Sequence, residues 1–254
     1  MGCTDAGVDD RLLVTTVVAA PAKLTLTFRV TGVRDDGYHF IDAEMVTLEW
    51  CDTLTIDPTS KGLTADGRYA QGLPLNKSNL VAKALHLAGR TAAVHIRKEL
   101  PRGGGLGGGS ADAAAVLRWA GYDDLDGCAR LGSDVPFCVV GGRARVRGMG
   151  EVVEPLPTNP VDVTLVIPPV SVSTPLVYRT WDELGGPRGD GANDLEPAAV
   201  VAVKSLARWR DRIGDAAGCA PHLAGSGATW FLYGHHDLAD ALPKATVVQT
   251  RTLA

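Results

Sequence analysis

Apolar and polar residues alternate along the segment AKLTLTFRV, which begins directly after Pro21. Neighbouring side chains of a strand point to opposite faces, so the pattern predicts a strand with one apolar and one polar face. On the polar face Lys23 and Thr25 point the same way, followed by Thr27 and Arg29. A half-solvated strand produces the same alternation, so this segment alone supports a structural and a functional polar face equally.

Similar patterns predict strands and helices along the rest of the chain, after a polar, frayed stretch at 1–11. The strand patterns are LLVTTVVA from Leu12, IDAEMVTLEW, DTLTID, AAVHIRK, RARVRGMGE, VDVTLVIPP and ATVVQT. The helical patterns are SNLVAKALHLAGR, SADAAAVLRWA, STPLVYRTWDEL, NDLEPAAVVAVKSLARWRDRI and a short helix before the last strand. We expect Thr174 to cap the third of these helices, with Pro175 in its first turn. The segment PLPTNP is interpreted as a seam between domains at 12–157 and 158–254.

Three turns are predicted between these elements. In TGVRDDGYHF, Asp36 and Gly37 form a tight turn that presents Tyr38 and His39. DVPF is expected to be a turn after a short, poorly formed helix, and APHLAGSGATWFLYG a glycine turn between apolar strands. The strand RARVRGMGE places Arg143, Arg145 and Arg147 on one face, which is more typical of a solvated edge than of a ligand clamp.

The segment PRGGGLGGGSADAAAV combines six glycines within seven positions, 103–109, with a run of strong helix formers. Glycine reaches positive φ and lets a ligand approach the main chain. We expect Ser110 to be the N-cap of the helix that follows. A helix start has free N–H groups and a partial positive charge, so this junction predicts a site for a phosphate chain.

Other interpretations of the glycine segment are weaker. A Walker loop needs a lysine where Gly109 stands. The Rossmann pattern GxGxxG is matched by Gly103, Gly105 and Gly108, but any run this rich in glycine contains it by chance, and Pro101 precedes it where a strand should end. Flexible linkers do not usually end in a capped, alanine-rich helix.

The composition is that of a folded chain with one or two domains: 254 residues, 45% apolar and 21% charged. A net charge of −4 argues against a nucleic-acid-binding surface. The five cysteines are scattered and include no CxxC pair, which is typical of reduced thiols in a cytosolic protein. No run is long enough to span a membrane and no signal peptide is evident, so we expect a cytoplasmic protein.

Together these segments resemble the GHMP superfamily of small-molecule kinases, which includes galactokinase, homoserine kinase, mevalonate kinase and phosphomevalonate kinase. PAKLTLTFRVTGVRDDGYHF is similar to an opening motif, PRGGGLGGGSADAA to the phosphate loop, and LGSDVPF to the catalytic-aspartate segment. VSVSTPLVY, NDLEP and AGSGATWF resemble later motifs. The DGYH turn combined with GGGLGGGS is most similar to kinases of 4-diphosphocytidyl-2-C-methylerythritol, from the non-mevalonate isoprenoid pathway.

This resemblance implies a two-domain α+β fold, with an N-terminal domain like domain 2 of ribosomal protein S5 and a ferredoxin-like C-terminal domain. It implies ATP-dependent phosphorylation of the substrate's 2-hydroxyl, with Mg²⁺ bridging the triphosphate oxygens and no side-chain metal ligand assigned. The expected partner is this small-molecule substrate, with no nucleic acid and no membrane, and the expected state is a monomer or weak homodimer.

The resemblance also implies roles for individual residues. Asp134 matches the catalytic base and Lys23 the lysine paired with it, which suits the chemistry because an alcohol becomes a good nucleophile when a carboxylate accepts its proton. Asp112 is interpreted as a favourable charge near the helix start. The triphosphate would be bound by Gly103, Gly104, Gly105, Leu106, Gly107, Gly108, Gly109 and Ser110. The substrate would be bound by Thr25, Tyr38, His39, Thr174, Tyr178, Gly225, Ser226 and Gly227, with Tyr38 and Tyr178 stacked on the cytosine.

Thr25 departs from the family pattern, which has asparagine two positions after the lysine, and the segment between the loop helix and Asp134 is short. Three alternative functions therefore remain: a GHMP-fold kinase for another small alcohol, a nucleotide-binding relative with weak or no activity, and a Rossmann-type nicotinamide enzyme.

Overall fold

The computed structural model describes residues 14–189 and 191–254. Its strands are β1 Thr16–Val33, β2 His39–Asp57, β3 Gly62–Asp66, β4 Ala93–Arg97, β5 Arg143–Gly148, β6 Val152–Leu156, β7 Asp162–Ile167, β8 His222–Leu223, β9 Trp230–Tyr233 and β10 Thr246–Arg251. Its helices are α1 Leu80–Leu87, α2 Gly108–Ala120, α3 Leu125–Leu131, α4 Val135–Val140, α5 Thr174–Glu183, α6 Glu196–Ala202 and α7 Ser205–Ala217. The stretch expected to be frayed and the predicted strand start at Leu12 lie outside the described residues.

Two sheets organise the described residues. The first contains six strands: β3, β4, β2, β5 and β6 follow one another, and β1 pairs with β2 over nearly the full length of both strands. Within it only β3 and β4 run parallel. The second sheet has the order β10-β7-β9-β8 and is antiparallel throughout. Helices α2 and α4 pack with the first sheet, α1 packs on α2, and α5, α6 and α7 follow the first strand of the second.

A small apolar core joins the two sheets. Leu24 and Leu48 of the first sheet are buried together with Leu165 and Phe231 of the second. Leu106, the one residue of the glycine segment that is not glycine, is buried in the same core. The predicted boundary at 157/158 falls between β6 and β7 and stays a prediction.

Two of the predicted strands form one. The structure continues β1 through Pro21 to Val33, where we expected a break at the proline. The register with β2 shifts between Pro21 and Lys23 and again between Thr25 and Thr27. A bulge accommodates the missing N–H group of proline, so the strand bends without ending.

Several predicted helix boundaries were wrong. The helix predicted from NDLEP to RDRI is broken between α6 and α7, where Val203 adopts an extended conformation. DVPF is not a simple turn, because Val135 opens helix α4 and Pro136 is tolerated in its first turn. The short helix expected before β10 is a single turn, since Pro243 disfavours a helical conformation at Leu242.

The arginine-rich strand is an interior strand of the first sheet, with β2 on one side and β6 on the other. Its three arginines are ion-paired with acidic side chains of the neighbouring strands. Arg143 contacts Glu44 at 2.7 Å, Arg145 contacts Asp42 at 2.5 Å, and Arg147 contacts Glu154. The hydrogen bond from Arg145 lowers the pKa of Asp42. The strand is therefore not the edge that was expected, but its arginine face is solvent-facing and ion-paired.

Candidate active site

Lys23 and Asp134, predicted as partners from distant parts of the chain, lie next to each other. The Lys23 Nζ atom is 3.3 Å from Asp134 Oδ2 and 3.1 Å from Thr25 Oγ1. Lys23 is only 5% exposed, so the polar face of β1 is buried at this end and is not a half-solvated strand face. The buried ammonium of Lys23 therefore has a carboxylate partner, as a buried charge requires.

Asp134 occupies the position before the first residue of α4, but its side chain makes no capping hydrogen bond there. The side chain is 29% exposed and lines a cavity together with Lys23. The carboxylate can therefore accept a proton from a bound molecule. Its predicted role as catalytic base stays a prediction.

The glycine segment connects β4 to α2 with a backbone that only glycine adopts readily. Gly103, Gly105 and Gly107 all have positive φ. A Cβ atom on Gly105 would lie 2.8 Å from the carbonyl oxygen of Ala224, and one on Gly107 would lie 2.7 Å from the side chain of Lys23. The glycines are thus needed for close packing as well as for conformation.

Helix α2 begins earlier than the sequence predicted. Gly107 is its N-cap and Ser110 is its third residue, so the prediction of Ser110 as N-cap was wrong. The left-handed conformation of Gly107 starts the helix without a side-chain cap. The N–H groups of the first turn therefore start within the glycine segment itself, where phosphate oxygens suit them.

Leu106 attaches the glycine segment to strand β1. Its side chain is buried in the core between the sheets, and its carbonyl oxygen accepts a hydrogen bond of 3.0 Å from the Lys23 N–H group. This residue was predicted to contact the triphosphate. The structure places its side chain in the core, so any contact with phosphate would come from its main chain.

A second glycine turn, Gly225 to Gly227, lies between β8 and β9 and packs on the first. The Thr229 N–H group donates to the carbonyl oxygen of Gly104 at 3.3 Å. Behind the turn, the buried Asn193 amide donates to the carbonyl oxygens of Leu223 and Gly225 at 2.9 and 2.7 Å. The motif NDLEP, which was noted without a residue role, therefore supports this turn.

A cavity of about 560 Å³ lies where these elements meet. It brings together both members of the predicted acid–base pair and most of the predicted substrate-binding residues. These are Lys23, Thr25, Tyr38, His39, Asp134, Thr174, Tyr178, Gly225 and Ser226, and Gly105 of the predicted triphosphate site also lines the cavity. Gly227 was predicted to line the substrate site but does not line this cavity; a Cβ atom there would lie 3.2 Å from Leu223.

One end of the cavity is aromatic. The rings of His39 and Tyr178 have centroids 4.6 Å apart at an angle of 34°. His39 Nε2 lies 2.8 Å from Asp182 Oδ1, a contact that the sequence analysis did not identify. Tyr38, in contrast, is 62% exposed and lies against Arg34. Both tyrosines line the cavity, and their stacking on the cytosine stays a prediction.

Thr174 lines the cavity as the first residue of α5. Its hydroxyl lies 2.8 Å from the Ser226 hydroxyl, which links α5 to the second glycine turn. Ser173, one position earlier, is the N-cap and accepts from Leu176 N–H, so the prediction of Thr174 as cap was wrong. Burial raises the pKa of Tyr178 strongly, so its phenol remains protonated at neutral pH.

A second cavity, of about 570 Å³, also borders the first glycine segment. Gly103 and Gly104 line it, together with Tyr69, Arg102 and Lys244. Arg102 is held by the carbonyl oxygens of Gln71 and Gly72. No motif in the sequence predicted this cavity, because its walls come from four separate segments of the chain.

Within the described residues, no group of three or more histidine, cysteine or carboxylate side chains could hold a metal ion. Mg²⁺ retains waters and binds readily through phosphate oxygens with few protein carboxylates. The site therefore fits Mg²⁺ only as a companion of bound phosphates. No helix in the described part of the chain has the length and apolar character needed to cross a bilayer.

Comparison with known proteins places the chain among kinases. The model of the GHMP kinases N terminal domain matches residues 76–142. A protein of Paracoccus denitrificans (strain Pd 1222) named 4-diphosphocytidyl-2-C-methyl-D-erythritol kinase is 39% identical over 84% of this chain and 85% of its own length. This chain belongs to the 4-diphosphocytidyl-2-C-methyl-D-erythritol kinase family. A relative of the same name from Dinoroseobacter shibae (strain DSM 16493 / NCIMB 14021 / DFL 12) is 38% identical, covering 84% and 83% of the two chains.

Solved structures agree with this family. A crystal structure of 4-(cytidine 5'-diphospho)-2C-methyl-D-erythritol kinase matches with a TM-score of 0.77 and 29% identity over 94% of this chain and all of that one. The Methanococcus jannaschii mevalonate kinase matches with a TM-score of 0.59 at 14% identity, covering 94% and 99% of the chains, which shows the shared fold. The predicted α+β GHMP kinase fold is confirmed. The Rossmann alternative was wrong, since the sheets are mainly antiparallel.

Proposed function

We propose that this protein transfers the γ-phosphoryl group of ATP to the 2-hydroxyl group of 4-diphosphocytidyl-2-C-methyl-D-erythritol. One observation carries the proposal: the carboxylate of Asp134 lies 3.3 Å from the ammonium of Lys23, in a cavity bordered by the glycine segment. This arrangement offers a proton acceptor and a positive charge next to a phosphate site. Family membership supports the same activity.

In this reaction Asp134 accepts the proton of the substrate hydroxyl as its oxygen forms a bond to the γ-phosphorus. The bond between that phosphorus and the bridging oxygen breaks, and ADP leaves with the electron pair. Phosphoryl transfer depends mainly on positioning and charge neutralisation. Lys23 contributes to both, because its ammonium holds the Asp134 carboxylate in place and stabilises negative charge on the transferred group.

The two cavities suggest where each substrate binds. The nucleoside of ATP would occupy the cavity beside Tyr69 and Lys244, with its phosphates crossing the main chain at Gly103–Ser110 toward Lys23. Phosphate oxygens would hold Mg²⁺, whose charge neutralises the triphosphate. The main-chain N–H groups at the start of α2 would orient the terminal phosphoryl group.

The alcohol substrate would occupy the cavity between α5 and β1. Its cytosine would lie at the aromatic end, near His39 and Tyr178, and its diphosphate near Thr174 and Ser226 of the second glycine turn. Thr25 occupies the position at which the family pattern has asparagine. Its hydroxyl accepts from the Lys23 ammonium, so Thr25 supports that group and offers the substrate only a hydroxyl.

Mg-ATP and a panel of alcohols test this function, with ADP release as the readout. We expect turnover with 4-diphosphocytidyl-2-C-methyl-D-erythritol and none with mevalonate, homoserine or galactose. Turnover of one of these others would reassign the substrate. The wild type could also turn over none of these alcohols, with Asp134→Asn indistinguishable from it in every property. That result would instead indicate a nucleotide-binding relative without activity.

A further inference from the structure

Three charged side chains are buried directly beneath the glycine segment and take no part in the proposed reaction. Lys98, Asp52 and Asp112 are 1%, 0% and 3% exposed. The Lys98 Nζ atom contacts Asp52 Oδ2 and lies 2.6 Å from Asp112 Oδ2. Asp112 was interpreted from the sequence as a favourable helix-start charge, but the structure shows it paired within this network.

The network holds both ends of the glycine segment. At the entering end, Asp52 Oδ1 accepts from the N–H groups of Glu99 and Leu100 at 2.6 and 2.8 Å. At the leaving end, Asp112 belongs to the second turn of α2 and is bound by Lys98. The segment between these attachment points contains every predicted phosphate-binding residue. Its span is therefore set by three side chains from β2, the end of β4 and α2.

The start of α2 approaches this network closely. A Cβ atom on Gly108 would lie 3.1 Å from the Leu100 side chain and 3.2 Å from Lys98 Nζ. Glycine at this position lets the first helical turn descend onto the ammonium. The phosphate-facing N–H groups and the buried lysine are thus on opposite sides of the same short stretch of backbone.

Stability alone does not account for these charges. Burying three charged groups is costly, and well-packed apolar residues often replace such networks without loss of stability. Asp112 Oδ1 has no hydrogen-bond partner among the described residues, and desolvation raises the pKa of Asp112 to about 7. Without Lys98, two carboxylates would lie beneath a site that must attract phosphate. The ammonium therefore offsets charge as well as joining the two ends.

We propose that Lys98, together with Asp52 and Asp112, positions the glycine segment for nucleotide phosphate and so determines affinity for ATP and ADP without touching either. These are positioning residues. The proposal rests on the proposed function, in that the glycine segment must bind nucleotide phosphate. Asn193 is not one of these positioning residues, because it supports the second glycine turn and not the first.

Binding of ADP and of CDP to the full chain, measured separately by calorimetry, tests the proposal. Asp112→Leu leaves the Lys98–Asp52 pair balanced in charge but releases α2. We expect it to weaken ADP binding roughly tenfold or more, since small displacements of a positioned site have large effects, and to leave CDP binding within about threefold. Lys98→Met should weaken ADP binding further, with the KM for ATP rising more than kcat falls.

Two matched variants complete the experiment. Asp112→Asn keeps an oxygen that accepts from Lys98 and should retain ADP affinity closer to the wild type. Ile213→Ala creates a cavity in the buried face of α7, and it should lower thermal stability while leaving the ADP and CDP affinities in their wild-type ratio.

Three results would overturn the proposal: Asp112→Leu binding ADP as tightly as the wild type, equal weakening of ADP and CDP, or a change no larger than that in Ile213→Ala. If Lys98→Met does not fold, Asp112→Leu and Asp112→Asn decide. A wild-type protein that binds no ADP would remove the proposed function as well, whereas normal ADP binding in all variants removes this inference alone.

Discussion

The two glycine turns of this protein have similar sequences and different supports. The first, at 103–109, leads into the thirteen-residue helix α2 and is supported by a buried network of charged side chains. The second, at 225–227, connects two strands and is supported by hydrogen bonds from the side-chain amide of Asn193. A helix start adds aligned N–H groups and a partial positive charge, which a turn between strands lacks. The first is therefore suited to a triphosphate, and the second to completing the wall of the cavity proposed to bind the alcohol.

The largest effect is expected where the two turns converge, at the acid–base pair. Asp134→Asn removes the proton acceptor but keeps the shape of the side chain. We expect kcat to fall by about 10²–10⁴ while the affinities for ADP and CDP change little. Steady-state kinetics and calorimetry check this together. Unchanged kcat would exclude Asp134 as the base.

Adding a methyl group to each turn sharpens the comparison. In Gly105→Ala the new Cβ would meet the Ala224 carbonyl oxygen at 2.8 Å, in addition to its strained positive φ. In Gly225→Ala the nearest atom is 3.7 Å away, and only the conformation is strained. We expect kcat/KM to fall about 100-fold or more for Gly105→Ala, because it displaces both turns, and about tenfold for Gly225→Ala.

The order of these two losses is the critical result. If Gly225→Ala were as damaging as Gly105→Ala, the conformation of the second turn would matter as much as the packing between turns. A thermal melt of each variant separates loss of the site from loss of the fold.

Asn193→Leu tests the support of the second turn alone. It removes the hydrogen bonds to Leu223 and Gly225 while keeping a side chain of similar size. We expect the KM for the cytidyl substrate to rise by about tenfold, consistent with a loss of roughly 1–2 kcal/mol in positioning, and the KM for ATP to change less. The reverse pattern, or equal changes, would contradict the division of labour between the turns.

The smallest effect concerns the charge beneath the first turn. Burial raises the pKa of Asp112 from 3.8 to about 7, so the folded chain holds a proton that the unfolded chain releases. Stability contributed by this proton is present below about pH 4 and is lost as pH rises to about 7. We expect Asp112→Asn to flatten that part of the profile of unfolding free energy against pH. Parallel profiles for the two proteins would show that Asp112 keeps an ordinary pKa.

The sequence by itself determined the family and the fold class, and it predicted Lys23 and Asp134 as a catalytic pair. Glycine patterns, the DGYH turn and the SDVPF segment are local, so short windows were enough to recognise them. The strands β4, β7 and β10 and the helices α1 and α5 were also predictable, because alternation and helical periodicity are properties of neighbouring residues. Helix caps failed by one to three positions at Ser110 and Thr174, since left-handed glycine and the adjacent serine compete for the same role.

Tertiary structure alone decided what lies behind the site. Lys98 and Asp52 look like ordinary charged residues of strand ends, and Asn193 like part of a motif without a role. Their function depends on partners 14 to 46 positions away for Lys98 and 30 or more for Asn193. A buried charge is tolerated only when opposite charges reach it through the fold. Distance along the chain contains no information about that contact, so only the folded arrangement could reveal it.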